Sequence, residues 1–258
     1  MTNTRNILLS LITTVSLHGQ SPSIDELRSK ALKGDVQAQV SLGIIYAQGK
    51  TISKDIAEAR KWFQKAAEQD NSEAQLNLGV IYDFGLGVQQ DHVEAVKWFK
   101  KAAEQGYAPA QNNLGKAYAG GKGVAQNATE AAKWFRKAAE QGDDKSQTFL
   151  GFIYANGDGV PINYTESANW FRKAAEQGNP FAQLNLGVDY AHGQGVSLDL
   201  VEAYAWLNLA AAKSNMLGAM AAQALKYRDD VLYRLNPQTL KLAQERFEKL
   251  QNTIQSKY

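Results

Sequence analysis

Tryptophan recurs at a fixed interval along this chain, and that interval constrains the fold more than any other feature. The five tryptophans stand 36 residues apart, at positions 62, 98, 134, 170 and 206. Leu42, Gly43 and Tyr46 each recur four more times with the same step. A fixed period of roughly 20–50 residues is the signature of a solenoid or a related array of stacked structural repeats.

The hydrophobic pattern within each unit predicts two helices joined by a glycine-containing turn. In the second unit, apolar residues between 74 and 82 recur three and four positions apart, and Ala95, Trp98 and Phe99 begin the apolar stripe of the next helix. Gly85 and Gly87 lie between the two and predict left-handed backbone angles. A short helix cannot bury a Trp-Phe pair alone, so we expect neighbouring repeats to stack over these rings. The sequence therefore predicts an all-α array of five helix-turn-helix repeats.

Polar residues mark where each second helix begins. Asp or Asn occupies positions 55, 91, 127, 163 and 199, and Glu follows three residues later each time. This spacing predicts capping boxes, in which the short side chain accepts from a backbone N–H and the Glu accepts from the N–H of the cap residue. At the far ends, Gly34, Gly106, Gly142 and Gly178 predict a left-handed helix stop, from which Asp70 departs.

Two further sets of residues carry expectations about packing. Gly43 and its counterparts lie inside the first helices, where glycine costs about 1 kcal/mol relative to alanine, so we expect a neighbouring helix to approach closely there. Lys61, Lys65 and Glu68 lie three or four positions apart and recur along the chain, which predicts a solvated ladder of charges on the outer face. Neither set indicates a catalytic or binding site.

The two ends of the chain depart from the repeat and predict separate segments. Arg5 and the apolar run of residues 7–17 resemble a secretory signal peptide, since the run is shorter than the roughly 20 residues of a membrane span. We assign residues 1–20 to this signal, with a mildly apolar N-terminal arm as the alternative. Ser23 and Glu26 predict a capping helix over residues 21–33, and Pro237 predicts the first turn of the last helix. The remaining boundaries are 34–69, 70–105, 106–141, 142–177 and 178–213 for the repeats and 214–258 for the C-terminal capping helices.

Composition and charge speak against several classes of function. The chain has no cysteine and a formal net charge of +2, so thiol chemistry, thiolate metal sites and electrostatic recognition of nucleic acid have no support. Its three histidines, His18, His92 and His192, have no metal-ligand spacing. The pattern assembles no nucleophile, base and orienting group. We therefore expect no catalytic residue, no metal or other cofactor, no nucleic-acid partner and no transmembrane segment.

A three-part motif fills each repeat over residues 34–213. It reads Ala-Gln-x-x-Leu-Gly-x-x-Tyr, then Gly-x-Gly-Val, then Glu-Ala-x-x-Trp-Phe-x-Lys-Ala-Ala-Glu-Gln-Gly. This motif resembles that of the Sel1-like repeat family, which is related to the tetratricopeptide repeat. The resemblance implies a right-handed α-α superhelix that acts as an adaptor for protein-protein interactions. A fold alone does not establish a function.

Function is expected where the repeats differ from one another. If the superhelix resembles its tetratricopeptide relatives, the first helix of each repeat lines a concave surface. The residues that would project there are Asn77, Phe84, Asn113, Lys116, Lys145, Phe152, Asn185 and His192. Amides could bind the backbone of an extended peptide, and aromatic rings could anchor apolar side chains. The alternative is that the asparagines are polar residues between helices and that the aromatic rings pack locally.

These features predict a monomeric, non-catalytic adaptor that is exported and binds a protein or peptide in the bacterial envelope or outside the cell. One alternative is a cell-wall-directed or β-lactam-type hydrolase or binding protein, because some Sel1-like proteins have been associated with β-lactams. Those proteins are rich in cysteine, which this chain lacks. The other alternative is a cytosolic regulatory scaffold, which applies if residues 1–20 are not a signal.

Overall fold

The computed structural model describes residues 23–212 and 214–256 of the chain. These residues form 13 α-helices and no strand, which confirms the predicted all-α class. The predicted signal peptide, with His18, lies outside them. Their contacts divide the helices into two units, one ending at Asn127 and one beginning at Ala128.

The repeats supply one helix after another to each unit. The first unit contains α1 (Ile24–Leu32), α2 (Val36–Gln48), α3 (Ile56–Ala67), α4 (Ser72–Phe84), α5 (His92–Glu104) and α6 (Ala108–Gly120). The second contains α7 (Ala128–Glu140), α8 (Asp144–Asn156), α9 (Tyr164–Glu176), α10 (Pro180–His192), α11 (Leu200–Ala212), α12 (Ser214–Arg234) and α13 (Pro237–Gln255). Within each unit, consecutive helices pack against each other up to α12, and α13 packs against α11. Such nearest-neighbour stacking is the architecture of a helical solenoid.

A buried glutamine in each first helix ties that helix to the one before it. Gln75 donates from Nε2 to the main-chain oxygen of Ala67 at 3.3 Å. Its Oε1 accepts from Gln105 at 2.8 Å, so the side chain also bonds to the helix that follows. The same bond to an alanine eight residues earlier recurs at Gln39, Gln111, Gln147 and Gln183. Each of these carbonyl groups lies at a helix end and also accepts the main-chain N–H three residues later, so the glutamine supplies its second hydrogen bond.

In the first, second and fourth repeats, the glycine inside the first helix lies under an aromatic ring of the second helix of the same repeat. A Cβ added to Gly43 would lie 2.5 Å from the ring of Phe63, and one added to Gly151 would lie 2.3 Å from the ring of Phe171. The predicted close approach is confirmed, because a larger residue would have to displace the ring from a close-packed core.

The tryptophans are core residues, as predicted, with one partial exception. Four of them are buried, whereas Trp134 is half-buried. The lysine three residues later lies over the ring, with Nζ of Lys65 4.6 Å from the centroid of Trp62 and Nζ of Lys173 3.9 Å from that of Trp170. These lysines are exposed, as the predicted charge ladder requires, and their ammonium groups also make cation–π contacts.

The second helices begin at the predicted cap residues, but the capping boxes form only in part. Asp91 accepts from the Glu94 N–H at 2.9 Å, and Asp55, Asn163 and Asp199 do the same in their repeats. The Asp91 N–H, however, donates to the main-chain oxygen of Tyr82 at 2.9 Å. The predicted return bond to the glutamate is therefore wrong, since a carbonyl in the last turn of the first helix accepts from this donor. The Glu94 carboxylate pairs with Lys97 at 2.8 Å instead.

The turns use the left-handed conformation that their residues predicted. Gly85 and Gly87 have φ values of 63° and 66°. At the boundary before the fifth repeat, Gly178 has a φ of 82°. Asp70, at the boundary before the second repeat, has a φ of 60° and is the one non-glycine residue with positive φ in the described chain. Asp70, where the other boundaries have glycine, therefore adopts a left-handed conformation that is unfavourable for a residue with a Cβ.

Helices beyond the repeats close both ends of the described chain. Ser23 and Glu26 form a complete capping box at the start of α1, as predicted. Helix α12 is kinked at Gly218, and α13 begins at Pro237 after the cap residue Asn236. Arg246 of α13 pairs with Glu202 of α11 at 2.6 Å, which fixes the last helix to the final repeat.

Candidate protein-interaction face

Four positions of each first helix form one side of that helix, which we name the first-helix face. In the fifth repeat they are residues 181, 185, 188 and 192. Their spacing of four, three and four places them in line along a helix. Steps of 36 residues give the equivalent positions in the other repeats, and the eight predicted binding residues occupy such positions. Four of the eight belong to α4 and α6 of the first unit, and four to α8 and α10 of the second.

In the first unit, the predicted residues differ in how much of each side chain solvent can reach. Asn77 is only 2% exposed, and its Nδ2 donates to the main-chain oxygen of Glu73 at 2.9 Å. Phe84 is 40% exposed at the end of α4. Asn113 is half-buried and Lys116 is exposed, both on α6. Phe84, Asn113 and Lys116 thus present surface to a partner, whereas Asn77 serves its own helix.

In the second unit, the predicted residues lie on two first helices that contact each other, α8 and α10. Lys145 is exposed. Phe152 is half-buried and meets the ring of Phe171 edge-on, with centroids 5.1 Å apart. Asn185 donates from Nδ2 to the main-chain oxygen of Phe181 at 2.7 Å, and Nδ1 of the exposed His192 lies 2.9 Å from the main-chain oxygen of Val188. Phe152 therefore packs partly into the core, and the other three remain at the surface.

Two exposed aromatic residues of this face were missed by the sequence reasoning. Phe181 is 45% exposed, and Phe149 is 37% exposed while stacking on Phe135 with centroids 4.7 Å apart. Both occupy positions of the first-helix face, Phe149 in place of the asparagine of other repeats and Phe181 in place of Lys145. The signal that indicates them is the 36-residue register, which places both residues on the first-helix face.

A buried carboxylate beside this face was also missed. Asp189 is 9% exposed, and its Oδ2 has no hydrogen-bond partner within the described chain. Burial raises the pKa of this carboxyl group from 3.8 to about 7, because the charged form loses its hydration. The sequence signal is a break in register, since the equivalent residues of the other repeats are Ile45, Ile81, Ala117 and Ile153.

The described residues have no features of a metal centre or a membrane span. Across residues 23–212 and 214–256, no group of three or more His, Asp or Glu side chains could hold a metal ion. None of the helices in that part of the chain is both long and apolar enough to cross a membrane. What the first-helix faces do offer is exposed aromatic rings, amides and charged side chains.

The sequence model of the Sel1 repeat matches five consecutive segments of this chain. They are residues 36–71, 72–107, 108–143, 144–179 and 180–215, each one helix pair with its following turn. The chain belongs to the Sel1 repeat family. Proteins built from Sel1 repeats generally act as scaffolds for protein interactions. No curated protein matches the chain.

Solved structures of other Sel1 repeat proteins resemble this one. A Sel1 repeat protein from Oxalobacter formigenes is 35% identical over 73% of this chain and 78% of its own, with a TM-score of 0.69. The protein c5321, a protective antigen present in uropathogenic Escherichia coli strains that displays this repeat fold, is 30% identical with a TM-score of 0.58. That match covers 90% of this chain but only 56% of the Escherichia coli protein. A putative Sel1 repeat protein from Klebsiella pneumoniae shares the fold at 22% identity, covering 81% of this chain and 99% of its own, with a TM-score of 0.50.

Proposed function

We propose that this Sel1 repeat protein is a non-catalytic scaffold that binds an extended segment of a partner protein on its first-helix faces. The observation that carries the proposal is the exposure of large aromatic side chains there, 40% for Phe84 and 45% for Phe181. Neither ring is buried in the fold, whereas aromatic rings are frequent anchors at protein interfaces.

Polar residues beside these rings suit a peptide backbone. An extended segment brings N–H and C=O groups that must find partners when water is excluded. The half-buried Asn113 and Asn185 can supply amides, and the exposed Lys145 can supply a charge. The first-helix face therefore combines anchors for side chains with groups for the main chain.

The experiment places a photo-crosslinking aromatic amino acid at Phe181 or at Phe84 in the full chain, in native cells. The control places it at Tyr164 of α9, which is 42% exposed in the same unit as Phe181 but lies on a second helix. We expect both first-helix positions to crosslink to one protein and the control position to give no such product. Equal crosslinking from the control, or none from the first-helix positions, would show that the proposed face does not bind.

The non-catalytic part of the proposal is supported by the general role of the family as interaction scaffolds. Its test is turnover by the purified protein. We expect no saturable hydrolysis of peptidoglycan fragments or of a chromogenic β-lactam at rates above those of a heat-unfolded sample. Turnover that follows the concentration of folded protein would contradict the proposal.

We also propose that the scaffold is exported. The support is the pattern of the first residues, where Arg5 precedes the apolar run 7–17. Cell fractionation with intact-mass measurement provides the test. A protein outside the cytoplasm that lacks roughly 16–20 N-terminal residues is expected, and a full-length protein in the cytosol would favour a regulatory scaffold there.

A further inference from the structure

Three polar residues lie in line along one side of α10. Asn185 precedes Asp189 by four residues, and His192 follows it by three. Residues with these spacings are neighbours on the surface of a helix. We name Asn185, Asp189 and His192 the acceptor cluster.

Each member of the acceptor cluster presents a hydrogen-bond acceptor. Asn185 donates from Nδ2 to the main-chain oxygen of Phe181, and its Oδ1 remains as an acceptor. The Nδ1 of His192 lies 2.9 Å from the main-chain oxygen of Val188. Because a carbonyl oxygen can only accept, Nδ1 carries a proton, and the neutral ring offers Nε2 as an acceptor. The carboxylate of Asp189 adds a third, and its Oδ2 bonds to nothing in the described chain.

The electrostatics of this position favour a cation. Asp189 is nine-tenths buried, and an unpaired buried carboxylate is costly, which is why its pKa rises to about 7. Asp189 also lies in the last turns of α10, where the helix dipole contributes partial negative charge. No described lysine or arginine pairs with it. Burial and the helix dipole thus both destabilise the ionised carboxylate. A cation that binds beside it would offset both effects.

We propose that the acceptor cluster receives the guanidinium group of an arginine side chain from the bound partner segment. This inference rests on the proposed function and names the chemistry of one partner residue. A guanidinium carries five N–H donors and no acceptor, so it complements three acceptors. It is also less strongly hydrated than an ammonium group and pairs with carboxylates through two parallel bonds.

The first experiment selects binders from a random library of 12-residue peptides by display against the full chain. The affinity of each selected peptide is then measured for the wild type and for the Phe181→Glu variant. The equivalent residue of the second repeat is Glu73, so glutamate already occurs at this position of a first-helix face. Peptides that lose affinity for the variant bind the first-helix face. If no peptide is selected, or none depends on Phe181, the proposed function fails and the arginine inference with it.

The second experiment tests the arginine among the peptides that depend on Phe181. We expect an arginine at one fixed position, and we expect its replacement by citrulline, a neutral side chain of the same shape, to weaken binding by about 30-fold. Enriched sequences without a fixed arginine, or a citrulline peptide that binds equally well, would overturn the inference and leave the proposed function standing.

Matched variants assign the effect to Asp189. Asp189→Ile restores the residue of three other repeats, so the variant is expected to fold. Against Asp189→Ile and Asp189→Asn, the arginine and citrulline peptides should bind with the same affinity. A citrulline penalty that persists in both variants would mean that the arginine binds elsewhere, which overturns the assignment to the acceptor cluster.

Discussion

The first helices of the second and fifth repeats, α4 and α10, make equivalent contacts to their neighbouring helices. They differ in one buried side chain and one exposed side chain. Gln75 and Gln183 bond to equivalent alanines of the preceding helix, at 3.3 and 3.2 Å. Gly79 and Gly187 lie under Phe99 and Leu207, with a Cβ at either position 2.4 or 2.7 Å from the covering side chain. The contacts of both helices to their neighbours are therefore made from equivalent positions in the two repeats.

The differences appear at one buried position and at one exposed position of the two helices. Ile81 of α4 is fully buried in an apolar cluster, whereas its equivalent in α10 is the unpartnered Asp189. Glu73 of α4 is replaced in α10 by the exposed Phe181. The fifth repeat thus holds a buried carboxylate, which opposes stability, and an exposed aromatic ring. Residues that oppose stability in a sound framework indicate a function, and this contrast can be tested by exchanging residues between the two helices.

The largest effect is expected from Asp189→Ile, which gives α10 the residue of α4. The rise of the Asp189 pKa from 3.8 to about 7 corresponds to about 4 kcal/mol lost when the carboxylate is ionised in the folded state. Removing it should raise the free energy of unfolding by about that amount at pH 8. Denaturant unfolding at fixed pH measures the change.

The pH dependence of the free energy of unfolding has a defined sign and provides the control for this prediction. Since the folded state holds the Asp189 proton up to about pH 7, it binds more protons than the unfolded state between about pH 4 and 7. The wild type should therefore lose stability as the pH rises through this window, relative to Asp189→Ile and Asp189→Asn. Parallel pH profiles for all three proteins would show that Asp189 is solvated in the folded state.

The same contrast explains which features could be predicted from sequence. The helix pairs, the buried tryptophans and the glycine turns could be predicted because the same sequence pattern occurs five times. Each repeat packs against neighbours of the same kind, so the pattern has the same structural meaning in each. The return bonds of the capping boxes were wrong, since the competing carbonyl of Tyr82 belongs to the preceding helix. Asp189 was missed because its importance depends on burial. A single carboxylate in one repeat breaks the register without indicating its surroundings, and its desolvation appears only once the neighbouring helices are placed.

The next largest change in the free energy of unfolding is expected when the equivalent glutamines of the two helices are replaced. Gln75→Met keeps the volume but removes the bond to Ala67 and the acceptor of Gln105, which we expect to cost about 2–3 kcal/mol. Gln183 makes only the equivalent bond to Ala175, and its buried Oε1 has no partner in the described chain. Gln183→Met should therefore cost about 1 kcal/mol or less. Thermal and denaturant unfolding of both variants measures the difference, and equal losses would mean that the second bond contributes nothing.

A smaller effect is expected at the boundaries that precede these two helices. Asp70 has a φ of 60° before α4, and Gly178 has a φ of 82° before α10. Asp70→Gly should stabilise the protein by up to about 1 kcal/mol, and Gly178→Asp should destabilise it by a similar amount, because only glycine adopts these angles without strain. Opposite shifts in melting temperature are the expected result. Loss of stability in Asp70→Gly would show that the aspartate side chain compensates for the strain.

The smallest effect on stability is expected from Phe181→Glu, which gives α10 the outward residue of α4. Phe181 is 45% exposed at the first turn of α10, where a negative charge interacts favourably with the helix dipole. The free energy of unfolding should therefore change by less than about 0.5 kcal/mol. Binding of a partner segment should nevertheless be lost, since the exposed ring is replaced by a hydrated carboxylate. Calorimetry and crosslinking on the same sample separate the two quantities. A large loss of stability would mean that Phe181 belongs to the core after all, and its exposure would no longer indicate a binding function.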